Sequence, residues 1–180
     1  MKKIIHLSSI VLLLAVAFTF NSCDKDTPFD FTYTLAPIEF TSPFFPANSL
    51  KTFSDTTFTR DIEAQLNQYG ASLQDVSSMQ LKAIAVNILS SGQTFDGVDY
   101  FESYINSTGL PETKLAYKSP VPQTGLTSLS LDNNYSELVD FIKADSFRVD
   151  LRGYNSVDLP PTDMNIQISF HIKGMIPAKK

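Results

Sequence analysis

The strict alternation of apolar and polar residues near the end of the chain constrains the fold more than any other feature of the sequence. Over residues 164–173 every second side chain is apolar and those between are polar, and residues 147–152 alternate in the same way. A period of two is typical of a β-strand with one face in the core and the other in solvent. The pattern therefore predicts two late strands, with His171 facing solvent. We expect residues 153–163 to join them as a long, hairpin-like loop.

Earlier segments carry further strand signals. Residues 29–35 alternate at period two. Residues 81–89 are apolar on both faces, which predicts a central strand, and weaker alternation predicts three more strands over 100–105, 113–117 and 126–131. Because these segments follow one another at short intervals with turn residues between them, we expect an antiparallel β-sandwich.

Two segments have the spacing of short helices. The first begins at a Thr59 cap and ends at Tyr69, and the second runs from Tyr135 to Ala144. In the second, Asn134 is the expected N-cap and Glu137 the expected partner in a capping box. The predicted fold class is mainly β, an antiparallel β-sandwich with one or two short helices.

The first 23 residues differ from the rest of the chain. Two lysines near the start are followed by no charged residue until Asp24, and residues 10–18 are an unbroken apolar run. That run is long enough for the core of a signal peptide and shorter than the ~20 residues of a membrane-spanning helix. The only cysteine of the chain, Cys23, closes this segment.

With Ser22 and Cys23 at its end, this segment resembles the lipobox-like signal peptide of bacterial lipoproteins, in particular uncharacterised lipoproteins of the Bacteroidota type. Phe20 and Asn21 depart from the usual Leu and small residue of that pattern. The resemblance implies cleavage before Cys23, acylation of Cys23 with palmitate among the chains, and anchoring in the outer membrane. An uncleaved N-terminal anchor helix over residues 4–22 is the alternative.

The resemblance also implies a cellular location and a division of the chain into segments. Asp24, Lys25 and Asp26 are similar to the export signals of such lipoproteins, which favours the cell surface over the periplasmic face. The expected organisation is a signal peptide over residues 1–22, a lipidated cysteine with a tether or first strand over 23–35, and a single sandwich domain over 36–180.

Composition excludes several classes of function. The 14 basic and 19 acidic residues give a net charge of −5, so we expect no nucleic-acid partner. One cysteine cannot form an intramolecular disulfide or a four-cysteine metal site. His171 is the only histidine outside the N-terminal segment, and no nucleophile motif accompanies it. We therefore expect no cofactor, apart from a possible Ca²⁺ ion, and no enzymatic activity.

Three groups of residues remain as candidate sites. Asp96, Asp99 and Glu102 could supply oxygen ligands to Ca²⁺ or the carboxylates of a glycan hydrolase, although turn chemistry explains the two aspartates without any ligand. The candidates for stacking on a glycan are Tyr100, Tyr104 and Tyr154, together with Tyr117, although we expect most of these tyrosines to be half-buried residues of the sandwich. Thr56 follows an aspartate in a motif that resembles the O-glycosylation motif of exported Bacteroidota proteins.

These observations favour a lipid-anchored, exported β-sandwich with a binding or assembly role at the cell envelope. Its partners would be the membrane, through the anchor, and a protein or glycan that the sequence does not identify. Two alternatives remain: a surface hydrolase that acts on glycans through carboxylates, and a fimbrial or other structural subunit.

Overall fold

A computed structural model describes residues 25–59 and 61–178. The predicted signal peptide, Cys23 and Asp24 lie outside the described residues. The strands of the described part are β1 Thr27–Thr34, β2 Ile38–Ser42, β3 Ser49–Thr59, β4 Val76–Ile88, β5 Val98–Ser107, β6 Leu110–Lys118, β7 Ser128–Ser130, β8 Asp132–Asn133, β9 Ser146–Asn155 and β10 Thr162–Ile176. The helices are α1 Glu63–Gln68 and α2 Val139–Lys143, and a single 3₁₀ turn covers Leu73–Asp75.

The strands form two antiparallel sheets. In the first sheet the order is β1-β10-β4-β7, and β2 pairs with the beginning of β10. In the second sheet the order is β3-β9-β5-β6-β8. The prediction of an antiparallel β-sandwich with short helices is confirmed, and the weaker strand predictions correspond to β5, β6 and β7.

The core lies between the two sheets. The inward side chains of β10 are all buried, namely Met164, Ile166, Ile168, Phe170 and Ile172. The Phe170 ring meets that of Phe147 on β9 edge to face, with centroids 6.4 Å apart. His171 lies on the outer face of the first sheet, partly exposed, with Nε2 3.7 Å from Asp30 Oδ2. The predicted register of β10 is therefore confirmed.

The expected hairpin between the last two strands is wrong. β9 belongs to the second sheet and β10 to the first, so residues 156–161 cross from one sheet to the other. Pro160 and Pro161 in this connection lack the backbone N–H groups that a hairpin ladder needs. The crossing is held instead by Phe45 and Leu159, which exchange backbone hydrogen bonds of 3.0 and 2.9 Å.

β4 is an interior strand, as predicted, but its two faces are not both buried. A register shift against β10 lies between the pairs Ala83–Ser169 and Leu81–Phe170. An irregularity of this kind moves the alternation by one residue, so Leu81 joins Ile84 on the buried face. Ala83, which the alternation in the sequence predicts on the same face as Leu81, is instead exposed on the outer face.

The first helix is shorter than predicted. Thr59 is not its cap, because β3 continues through Thr59, which pairs with Ser146 on β9. α1 therefore begins only at Glu63. Ile62 and Leu66 are fully buried, as their spacing predicts, and Gly70 follows the helix at φ +70°.

The second helix also differs from the prediction. α2 begins at Val139, so neither Asn134 nor Glu137 forms the expected cap. Tyr135 adopts φ +55° and is 76% exposed, which places it outside the buried helix face. Glu137 instead accepts a hydrogen bond from the backbone N–H of Met79 on β4, at 2.7 Å.

The beginning of β1, the first strand of the sandwich, lies beside the end of β10, the last strand. β1 pairs with the end of β10 from Thr27–Ile176 onward, and the Asp26 carboxylate accepts a hydrogen bond from the Ala178 N–H at 3.0 Å. Over the residues described here, no helix has the length and apolar character needed to cross a membrane.

Candidate functional site

The outer face of the second sheet carries a row of apolar and aromatic side chains, of which Leu50 and Tyr117 are exposed and Tyr100 and Tyr154 half-buried. Leu50 on β3 lies directly opposite Tyr154 on β9, and Tyr154 lies opposite Tyr100 on β5. Side chains directly opposite each other in an antiparallel pair share one face. Tyr117 on β6 extends the row, since it pairs with Glu102 on the same face of β5. We call Leu50, Tyr154, Tyr100 and Tyr117 the aromatic band.

The central pair of the aromatic band is well ordered. The rings of Tyr100 and Tyr154 are nearly parallel, with an interplanar angle of 9° and centroids 5.9 Å apart. The Tyr154 hydroxyl donates to Asn48 Oδ1 at 3.3 Å. β5 and β9 can approach closely at this point because residue 153 is a glycine. A Cβ there would lie only 2.7 Å from the Tyr100 carbonyl oxygen.

An open groove of about 350 Å³ lies between Tyr100 and Tyr117. Its polar lining residues are Glu102, Lys114, Ser119 and Asn134. Lys114 Nζ lies 2.5 Å from Glu102 Oε1, and this hydrogen bond lowers the pKa of Glu102 and raises that of Lys114. At neutral pH the groove therefore presents a paired carboxylate and ammonium with no net charge.

Tyr104, the third predicted stacking residue, has a different position. It lies on the same face, but the Arg152 guanidinium sits 4.5 Å from its ring centroid and Lys114 Nζ 5.6 Å away. Its hydroxyl donates to Glu102 Oε2 at 2.9 Å. Because Arg152 and Lys114 already contact the ring, Tyr104 has no free face on which a ligand could stack. It lies at the side of the groove.

A buried carboxylate lies on the same outer face, opposite Tyr104. The side chain of Asp150 is 3% exposed, with Oδ2 2.7 Å from Arg152 Nη2 and Oδ1 3.1 Å from Arg148 Nε. The second contact is close enough for an ion pair but is not aligned as a hydrogen bond. Arg152 also binds Glu112 at 2.5 Å, and this contact is the largest cause of its raised pKa. The network fixes the side chains beside the groove.

The structure separates the three predicted metal ligands. Asp96 Oδ1 accepts the Gly125 N–H at 3.0 Å, Asp99 Oδ1 accepts the Ser156 hydroxyl at 3.0 Å, and Glu102 lies in the groove. Among the described residues, no three His, Cys, Asp or Glu side chains are grouped as metal ligands. The lowered pKa of Glu102, caused mainly by Lys114, is the opposite of what a general acid in glycoside hydrolysis needs.

The remaining predicted sites lie elsewhere. Thr56 on β3 is half-buried and pairs with the buried Val149, so its side chain is not freely presented on the surface. Lys25 is exposed, and Asp26 is engaged with Ala178.

Sequence reasoning missed Leu50, Lys114 and Asn134 as members of this surface. Leu50 lies in a segment with no strand signal of its own, and Asn134 carried only the signal of a helix cap. Only the order β3-β9-β5-β6-β8 brings them to one surface. In the sequence, Arg148, Asp150 and Arg152 stand out only as the polar residues that alternate with the apolar residues of β9.

No protein-family model matches the chain, and no curated protein matches it. Two of the solved structures that it distantly resembles come from viruses. The first, titled structure of infectious bursal disease virus Gx strain, has 14% sequence identity and a TM-score of 0.38, over 84% of this chain and 33% of that chain. The second, Desmodium yellow mottle tymovirus, has 12% identity and a TM-score of 0.27, over 87% and 93% of the two chains. This chain thus spans about a third of the length of the first, and similarity at this level carries no argument about function.

Proposed function

We propose that this chain is a lipid-anchored protein of the bacterial outer membrane that binds a carbohydrate at the groove between Tyr100 and Tyr117. The observation that supports this proposal is the lining of the groove. Two tyrosine rings flank a carboxylate, an ammonium, an amide and a hydroxyl, at Glu102, Lys114, Asn134 and Ser119.

The chemistry of these groups suits a sugar ring. A pyranose has apolar C–H faces that pack on aromatic rings and hydroxyl edges that need hydrogen-bond donors and acceptors. Glu102 supplies acceptors and Lys114 supplies donors, while their mutual ion pair leaves the groove without net charge. A neutral sugar is therefore favoured over an acidic or basic one.

Binding can be measured on a glycan array with the purified full chain. For the glycan that gives the strongest signal, we expect Tyr100→Ala and Tyr117→Ala each to weaken binding at least about tenfold, equivalent to ~1.4 kcal/mol. Tyr69→Ala is the matched control, because Tyr69 is 43% exposed, close to the 41% of Tyr117, and stacks on Phe31 of the first sheet. Equal loss in all three variants, or no glycan bound by the wild type, would overturn the proposal.

The anchor is supported by the basic start, the apolar run and the single cysteine of the N-terminal segment. We expect the wild type to incorporate a tagged palmitate during growth and Cys23→Ser to incorporate none. The variant should also leave the membrane fraction or stay unprocessed. Label in the Ser variant, or none in the wild type, would rule the anchor out. Protease treatment of intact cells then separates a surface location, which Asp24, Lys25 and Asp26 favour, from a periplasmic one.

We propose binding rather than catalysis. The competing hypothesis, a surface hydrolase, uses Asp96, Asp99 or Glu102. Turnover of a glycan and ester panel by the wild type, lost when all three are replaced by Asn or Gln, would favour the hydrolase.

A further inference from the structure

Two members of the aromatic band, Tyr154 and Leu50, lie outside the groove. They continue the band from Tyr100 across β9 to β3, because Tyr154 pairs with Tyr100 on one side and with Leu50 on the other. Neighbouring strands lie about 4.8 Å apart, so this part of the band extends roughly 10 Å beyond Tyr100. Leu50 is 60% exposed, and a single sugar bound in the groove would leave it uncovered.

A polar row runs parallel to this part of the band. Thr52 on β3 lies opposite Arg152 on β9, and Arg152 lies opposite Glu102 on β5. On each strand the polar residue is two positions from the band residue, so both rows share one face, about 7 Å apart. Arg152 is paired with Glu112 at 2.5 Å and Glu102 with Lys114 at 2.5 Å. The polar row therefore attracts neither anions nor cations strongly.

The Tyr154 ring is held in place before any ligand arrives. It lies parallel to the Tyr100 ring, and its hydroxyl donates to the side chain of Asn48. Asn48 has φ +57°, and its own N–H donates to the Asn155 carbonyl at 2.8 Å. Packing a ligand on an ordered ring costs little conformational entropy.

The two rows match the two kinds of surface on a sugar chain. Every unit of a linear oligosaccharide presents apolar C–H faces and hydroxyl edges. One pyranose unit in such a chain is about as long as the spacing between two strands, so the groove and the two strands beyond it have room for about three units.

The surface is open at Leu50. In the part of the chain that the structure describes, β3 is the outermost strand of this sheet, so no strand follows Leu50 in the direction of the row. A glycan that lies along the band can therefore continue past Leu50 into solvent.

We propose that the site binds an internal segment of a linear, neutral polysaccharide, about three sugar units long, that runs across the strands from the groove to Leu50. This inference rests on the proposed carbohydrate binding and deepens it, because it names a glycan chain and not a single sugar as the ligand. One unit occupies the groove between Tyr100 and Tyr117. The following units pack on Tyr154 and Leu50, with hydroxyl groups toward Thr52.

A length series tests the proposal by calorimetric titration of the purified full chain. The probes are malto-, cello-, laminari- and mannooligosaccharides of one to six units, which are linear and neutral. For a series that binds, we expect the affinity to rise at least about tenfold from the monomer to the trimer and to change little beyond four units. Equal affinity for the monomer and the trimer would overturn the proposal and leave carbohydrate binding at the groove intact. If no series binds, the proposal fails, and the glycan array decides whether binding at the groove fails with it.

Variants test the path of the glycan. Leu50→Ala, at an exposed position, should leave the melting temperature nearly unchanged and weaken trimer binding several-fold, with dimer binding unchanged. Leu89→Ala is the matched control, because Leu89 is exposed to a similar extent and follows β4 of the first sheet. Tyr100→Ala, in the groove, should weaken the binding of every length. Unchanged trimer affinity in both Leu50→Ala and Tyr154→Ala, or equal losses in Leu50→Ala and Leu89→Ala, would overturn the proposal.

Discussion

Arg152 Nη2 lies 2.7 Å from the buried Asp150 carboxylate on the outer face of the second sheet. Removing one partner of a buried ion pair leaves an uncompensated charge, which typically costs about 3–5 kcal/mol. Arg152→Ala would leave the buried Asp150 carboxylate with only the unaligned contact to Arg148, so we expect it to lower the free energy of unfolding in urea by that amount. Asp55→Ala is the control, because Asp55 also contacts Arg148 but is 48% exposed, and its loss should cost less than ~1 kcal/mol. Equal effects of the two substitutions would show that the Asp150 pair is no stronger than a surface pair.

Glu137 should make stability depend on pH. Partial burial raises its pKa, but hydrogen bonds from the backbone N–H of Met79, the Ser78 hydroxyl and the start of α2 outweigh burial, so the pKa lies below its ordinary value of 4.5. A lowered folded-state pKa stabilises the fold above the unfolded pKa, and that contribution is lost as the pH falls. The difference in unfolding free energy between wild type and Glu137→Gln should therefore shrink between about pH 6 and about pH 3. A difference that stays constant over this range would contradict the assigned role of the carboxylate.

Gly174 should not tolerate a side chain. A Cβ at this position would lie 2.1 Å from the Asp75 carbonyl oxygen and 2.3 Å from Phe29 Cζ. Because backbone on one side and a buried ring on the other cannot both move freely, Gly174→Ala should cost about 1–3 kcal/mol or more. Ser169→Ala, on the outer face of the same strand, should change stability by less than ~0.5 kcal/mol. Thermal melts of the two variants give the comparison, and equal melting temperatures would show that the sheet can open at Gly174.

Phe170 and His171 are neighbours on β10, but their replacement by alanine should have very different effects on stability. Phe170 is fully buried against Phe147, so Phe170→Ala should cost about 3–5 kcal/mol through lost transfer energy and a cavity. His171→Ala should cost less than ~0.5 kcal/mol, since the imidazole is partly exposed. Greater damage from His171→Ala in a denaturant melt would indicate an inverted register.

The strands were predictable where the information is local. The alternation over residues 164–173 is enough to assign both the strand and its buried face. The pairing of strands was not predictable in the same way, since β9 and β10 are adjacent in sequence but belong to different sheets. The buried face of Leu81 depends on a register shift against Ser169 and Phe170, which β4 alone does not reveal.

Helix ends and the candidate site show the same dependence on distant partners. Glu137 has the spacing of a capping residue, yet its strongest backbone partner is Met79, 58 residues earlier. Tyr100 and Tyr154 could be named as stacking candidates from their residue type, and both are half-buried, as expected of residues in the sandwich. Only the pairing of β5 with β9 places them opposite each other, and only β6 adds Lys114 to the same groove.

The hydrogen bond between Asp26 and Ala178 sets which way the domain would point from a membrane. In the anchored protein that we propose, three residues separate Cys23 from the first residue of β1, so the lipid could lie no more than ~14 Å from that end. The other end of β10 is far from the lipid, since the fifteen residues of the strand span about 45 Å. The aromatic band lies toward that far end, where β9 finishes. The groove would therefore be held well above the lipid headgroups, open to molecules arriving from the aqueous side.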